Sequence, residues 1–187
     1  LAHPEYLHSY AEALDQHPTA GSLAIAYARK LLLGQNGEQA LQVLGGVSID
    51  GEQTRAFLAC ERSHILREIG EFDEAVSAAR EAQRMVPELP RHTLELATAI
   101  MAAGADYEEA VDCLQPLTSS EACGQDIWAA YATALRYAER RNEYDQLVDY
   151  EKYVGMRHIE TPEGYDSLTA FLQALRDHLM SLHITRH

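Results

Sequence analysis

Apolar and small residues recur along this chain at helical spacing, in pairs of segments joined by short polar turns. The clearest pair lies at 56–89. Ser63 and Leu66 share a face of its first segment, Gly70 marks the turn, and Phe72, Ala75 and Ala82 form the stripe of the second. A stripe at three- and four-residue steps is the mark of an amphipathic helix, and Pro87 cannot extend the helix that precedes it. Asp50 with Gln53 reads as a capping pair ahead of the first helix.

The same frame fits most of the chain. Upstream, at 21–54, Tyr27, Ala28 and Leu31 precede a turn at Gly34–Gly37, and Ala40, Leu44 and Val47 follow it. Pro4 to Pro18 reads as an orphan second helix, a half-repeat over 3–18, with Tyr6, Tyr10 and Ala13 on its core side. Downstream, at 90–120, come Leu96, Ala97, Ile100, Gly104, Tyr107 and Ala110, with Pro116 closing the unit. A fourth pair, 125–157, has Trp128, Tyr131, Ala132 and Leu135, then a late turn at Asn142, which predicts a first helix about one turn longer. Its second helix, 144–154, carries Leu147 where a small residue is expected, so the crossing should be wider. Beyond a Thr161-Pro162-Glu163-Gly164 loop, Leu168, Phe171, Leu172, Leu175, Leu179 and Leu182 stripe a last helix over 167–182. Nine to ten helices and no sheet are expected.

A small residue at each helix crossing, a turn glycine and a closing proline in units of about 34 residues resemble the tetratricopeptide repeat. The resemblance implies an all-α, right-handed α-solenoid over 1–157, with 158–187 as a loop and a capping or linker helix. It also implies a protein-interaction scaffold, because stacked repeats bury a continuous core and leave a concave face for a partner.

Composition narrows the partner. The 187 residues carry a net charge of −14 and are 47% apolar and 24% charged, as in a globular protein. That charge argues against nucleic acid and anionic membrane as partners, and the mostly apolar run Leu96 to Ala105 is too short to cross a bilayer. Cys60, Cys113 and Cys123, with no CxxC spacing, read as small buried residues of a reducing compartment, the cytoplasm. A first residue other than methionine suggests a trimmed chain.

In the tetratricopeptide superhelix, positions 2, 5, 9, 12 and 13 of each first helix face the groove. Carried over, they give Ile25, Arg29 and Leu32; Phe57, Cys60, His64 and Arg67; Arg91, Leu94 and Met101; and Ala129, Thr133, Arg136 and Tyr137. Arg29, Phe57, His64, Arg67, Arg91, Met101, Arg136 and Tyr137 are the candidate peptide-binding residues, suited to an extended peptide with acidic and apolar side chains. The alternative is that the arginines pair with glutamates such as Glu68 or Glu95 and only solvate the groove. The Lys/Asn arrangement of carboxylate-clamp repeats is absent from these positions.

The stretch from Tyr144-Asp-Gln-Leu, through Thr161-Pro-Glu-Gly-Tyr, to His178-Leu-Met-Ser-Leu-His183 resembles a second pattern. It is similar to the junction that precedes the catalytic jelly roll in bacterial tetratricopeptide proteins with a 2-oxoglutarate/Fe(II)-dependent oxygenase domain. That resemblance implies Fe(II) and 2-oxoglutarate in a domain outside this chain, and a dioxygenase as the parent. The chain itself has no strand pattern to host the His-x-Asp/Glu ligands of such a site, so no catalytic, cofactor-binding or metal-binding residue is assigned in it. His158-Ile-Glu160 with His183 or His187 fits half of a facial triad only formally. Asp73-Glu74 and Glu108-Glu109 fall in first helical turns, where negative charge favours the helix dipole. A free-standing adaptor, or a homo-oligomeric assembly module using the apolar end faces, are the alternatives.

Overall fold

The computed structural model describes residues 4–47, 50–121, 123–155 and 158–182. The chain divides into two compact units, Leu1–Val148 and Asp149–His187.

In the first unit, α1 (Pro4–Gln16) precedes four helix pairs: α2 (Gly21–Leu33) with α3 (Gly37–Gly45), α4 (Glu52–Ile69) with α5 (Phe72–Met85), α6 (Pro90–Ala103) with α7 (Tyr107–Leu114), and α8 (Gln125–Tyr137) with α9 (Arg141–Leu147). A 3-10 segment, Gln115–Ser119, holds Pro116 after α7. No strand occurs among the described residues. Helices fall in each of the expected segments, although α4 begins at Glu52, four residues ahead of the 56–89 frame.

Small residues make the crossings. Ala75, Ala79, Ala97, Ala99, Ala110 and Ala134 have no exposed surface, and Leu66, Leu96, Ile100, Val111, Leu114 and Leu135 fill the space between them. A second cluster around Ala24, Tyr27, Ala28, Leu31, Ala40 and Leu44 takes in Ile65 of α4, so the core runs from one pair into the next. An alanine buried at a crossing lets two backbones approach, and its low side-chain entropy cost makes it a good helix former there.

Each first helix also packs on the next first helix: α2 on α4, α4 on α6, and α6 on α8. Successive second helices make no comparable contact. The array therefore curves with its first helices inside, and this inner side is the concave face.

Three local expectations differ from the structure. The Asp50–Gln53 capping pair does not form; Gly51 occupies the N-cap at φ 109° with no side-chain cap. In the fourth pair the turn is not late: α8 ends at Tyr137 with 13 residues, the same as α2, and residues 138–140 make the turn. The second helix expected over 144–154 runs instead from Arg141 to Leu147 and restarts as α10 (Tyr150–Tyr153). The cause is Asp149, whose carboxylate accepts the Lys152 amide at 3.0 Å and caps a new helix start. Asp106 does the same ahead of α7, accepting from Glu108 and Glu109 at 3.1 and 3.2 Å. The acidic residues 73, 74, 108 and 109 all lie in first turns.

The turns explain a further cost. Gly70 (φ 89°) and Gly104 (φ 65°) end α4 and α6 in the left-handed region, where glycine carries no Cβ penalty. In the fourth pair the same conformation falls on Glu139, at φ 58°. Left-handed backbone costs a residue with a Cβ about 1–2 kcal/mol, partly offset by the unfolded-state entropy that glycine adds. Glu139→Gly should therefore stabilise the array by about 0.5–1 kcal/mol, read as a higher midpoint in thermal unfolding followed by circular dichroism. An unchanged or lower midpoint would show that the turn carries no strain.

In the second unit, α11 (Leu168–Leu182) matches the expected last helix. Tyr165 packs edge-on against Phe171, with centroids 5.2 Å apart. Leu172, Leu175, Leu179 and Leu182 are exposed. No helix among the described residues is long and apolar enough to cross a membrane.

Candidate peptide-binding groove

The inner face of α2, α4 and α6 is held together by a charge network. Glu61, on α4, is buried, with only 3% of its side chain exposed. From α2, Arg29 donates from Nε to Glu61 Oε2 at 2.7 Å and from NH2 to Oε1 at 2.5 Å, a two-pronged contact. From α6, the Arg91 NH2 group donates to the same Oε1. Both arginines keep about half their side-chain surface in solvent, 49% and 51%. The hydrogen bonds it donates to Glu61 push the Arg29 guanidinium further above its ordinary value, so it stays charged at any working pH.

A second set of contacts lies one turn along. Ser63 donates to Glu95 at 3.0 Å, and Arg67 Nε stands 3.6 Å from Glu95 Oε1, an ion pair and not a hydrogen bond. Arg67 also reaches Glu68 at 3.4 Å and donates to His64 Nδ1 at 2.9 Å. Arginine can only donate, so that His64 nitrogen is the acceptor and the ring carries its proton on Nε2. Burial pushes the Glu95 carboxyl above its ordinary range, against the pull of Arg67 and Ser63.

Together Arg29, Leu32, Leu33, Cys60, Glu61, His64, Arg91 and Glu95 line an open cleft of about 370 Å³. Leu33 is 76% exposed at its edge. The cleft thus pairs half-exposed cations with an apolar shoulder.

The structure does not gather all eight candidate residues there. Arg29, His64 and Arg91 line the cleft, and Arg67 adjoins it through His64 and Glu95. Phe57 turns its ring onto buried His92, centroids 5.4 Å apart. Met101 is half-buried against the main core. Arg136 and Tyr137 are exposed on α8, where Tyr137 packs on Tyr107 at 5.2 Å. Arg67 makes both of the glutamate pairings expected as the alternative, whereas Arg29 and Arg91 choose Glu61, which the groove positions had not included.

That omission had a detectable signal. Arg29 and Glu61 are 32 residues apart, as are Ser63 and Glu95. Polar partners separated by nearly one repeat length on first helices face each other across the stack. The outer side shows the same rule, where Arg80 of α5 meets Glu109 of α7 at 2.7 Å.

Other chemistry is weaker. Cys60 lies in the cleft, but burial first, then the nearby carboxylates, push its thiol up to about 11. It is a thiol at neutral pH, and no thiolate–imidazole pair forms with His64. Cys60 is therefore expected to resist alkylation by iodoacetamide at pH 8 in the folded protein and to react on unfolding, as checked by intact mass; rapid native labelling would contradict its burial. Among the described residues no group of three or more His, Cys, Asp or Glu side chains could hold a metal ion. His183 and His187 lie outside the described residues.

No protein-family model matches the chain, and no curated protein does. Solved structures are similar to it. A crystal structure of MamA aligns with a TM-score of 0.59 at 15% identity, covering 79% of this chain and 83% of that one. A second MamA structure aligns at 0.58 and 12% identity, covering 82% and 87%. At such identities the likeness shows the fold alone, an α-solenoid of tetratricopeptide type.

Proposed function

We propose that the chain is a protein-interaction scaffold whose concave face binds an extended segment of a partner protein. The observation that carries this reading is the cleft between α2, α4 and α6, where half-exposed arginines and an exposed leucine shoulder stand on the inner side of a repeat array. Arg136 and Tyr137 are exposed on α8, the first helix of the fourth pair, at positions that the tetratricopeptide resemblance assigns to this face. A partner segment with acidic and apolar side chains suits these groups.

Reversing Arg67 and Arg91 together is a poor test, because Arg91→Glu would place a second carboxylate against buried Glu61. Arg136→Glu with Tyr137→Ala is cleaner: both side chains are exposed and outside the Glu61 network. Capture of partners from a lysate of the source cells, read by mass spectrometry, should lose specific partners with this variant while helicity stays unchanged. The same partners retained at the same yield would move the binding surface off the groove.

Two finer readings rest on sequence. The apolar stripe of α11 supports a capping role for that helix. The order of motifs over 144–183 supports a parent protein with a 2-oxoglutarate/Fe(II) oxygenase domain, for which the array would recruit a substrate or partner. That pairing is tested by assaying 2-oxoglutarate turnover by the full-length protein with and without the captured partner.

A further inference from the structure

We infer that Glu61, a buried acid, is the residue that makes the cleft selective for a ligand carboxylate. This deepens the groove reading and rests on it.

A single exposed arginine is a poor selector, since its long side chain samples many rotamers and binding must fix them. Arg29 and Arg91 are different. They come from two repeats, α2 and α6, and converge on one carboxylate of the helix between them. The two-pronged contact spends the Nε and NH2 edge of Arg29 and leaves NH1 outside it. Arg91 commits NH2 and keeps 51% of its side chain in solvent. Two planar donors are thus held in place before any ligand arrives, and the N–H groups that Glu61 does not engage can make charge-assisted hydrogen bonds to a carboxylate that a neutral amide does not match.

The charges facing this point are known. Around the cleft stand Arg29, Arg67 and Arg91 against Glu61, Glu95 and Glu68, with His64 accepting from Arg67. Arg67 and Ser63 occupy Glu95. Three cations thus face three anions, a locally balanced patch on a protein whose net charge is −14. Leu32 and Leu33 border the same space, so the preferred segment carries an Asp or Glu next to an apolar residue.

Glu61 therefore acts as a positioning residue, and this gives an unusual expectation. A simple count of charge says that Glu61→Gln, which makes the cleft more positive, should strengthen binding of acidic peptides. Pre-organisation says that it should weaken their selection, because the guanidiniums lose the anchor that aims them.

The test is a positional-scanning hexapeptide library, scored for Asp and Glu against Asn and Gln at each position. The wild-type chain is expected to prefer the acids by about tenfold or more at one position, equivalent to about 1.4 kcal/mol. Glu61→Gln should reduce that preference to near unity while its apolar preferences and melting curve are retained. A sharper acid preference in Glu61→Gln would overturn the proposal. So would a wild type that retains hexapeptides without preferring acids, although the groove reading would survive. Retention of no hexapeptide would sink the groove reading as well. Should Glu61→Gln fail to fold, Arg29→Lys with Arg91→Lys keeps the charge and removes the forks. That variant should also lose the preference, and a preserved preference would overturn the proposal.

Discussion

Ala75→Arg is expected to abolish the folded array. Ala75 opens α5, has no exposed surface, and sits in the main core with Leu66, Ala79 and Leu96. Arginine there brings a charged side chain several methylenes longer into a space closed by α4 and α6. Overpacking of a full core costs about 1–3 kcal/mol and an unpaired buried charge about 3–5 kcal/mol. Their sum approaches the whole stability of an ordinary domain, about 5–15 kcal/mol. Circular dichroism should show no cooperative melt, or only aggregate. A wild-type melting curve would show that the α4–α5 crossing is not packed as described.

Ile100→Ala is the second large effect. Ile100 lies near the end of α6, has no exposed surface, and packs in the cluster that links the second, third and fourth pairs. Deleting its side chain removes buried apolar surface and leaves a cavity between helices that cannot close freely. The cost is expected at about 2–5 kcal/mol. Because each pair contacts its neighbours most strongly, the loss should appear first in the later pairs. Amide hydrogen exchange should speed up in α6, α7 and α8 before α2 and α3. Uniform acceleration across the chain would show a single cooperative unit in place of coupled repeats.

Much of this architecture was legible because repeat packing is local. A crossing alanine and a turn glycine declare a helix pair within about 34 residues, so 56–89 and 90–120 could be framed from their own side chains. The fourth pair was framed less well. Its turn lacks glycine and uses Glu139 in the left-handed conformation, so the eye passes on to Asn142. Asp149, two residues past Leu147, looks like a surface position until its carboxylate is seen capping α10.

The site was legible in part. Positions on the inner face located Arg29, His64 and Arg91, which do meet. They missed Glu61, because which neighbour a side chain reaches depends on how far one repeat rotates on the next. Arg29 and Arg91 lie 62 positions apart in the chain and are joined only by an acid that each reaches from a different helix. Periodicity within one repeat cannot show that; a search for opposite charges one repeat apart can.

The central claim is that the inner face of the array is where a partner binds, and cross-linking in place tests it most directly. A photoreactive phenylalanine analogue would be placed at position 33, on the edge of the cleft, or at position 80, on the outer side beside Glu109. After irradiation in a lysate of the source cells, adducts should form from position 33 and identify the captured segment, while position 80 stays uncoupled. Adducts from position 80 alone would put recognition on the outer helices and contradict the account.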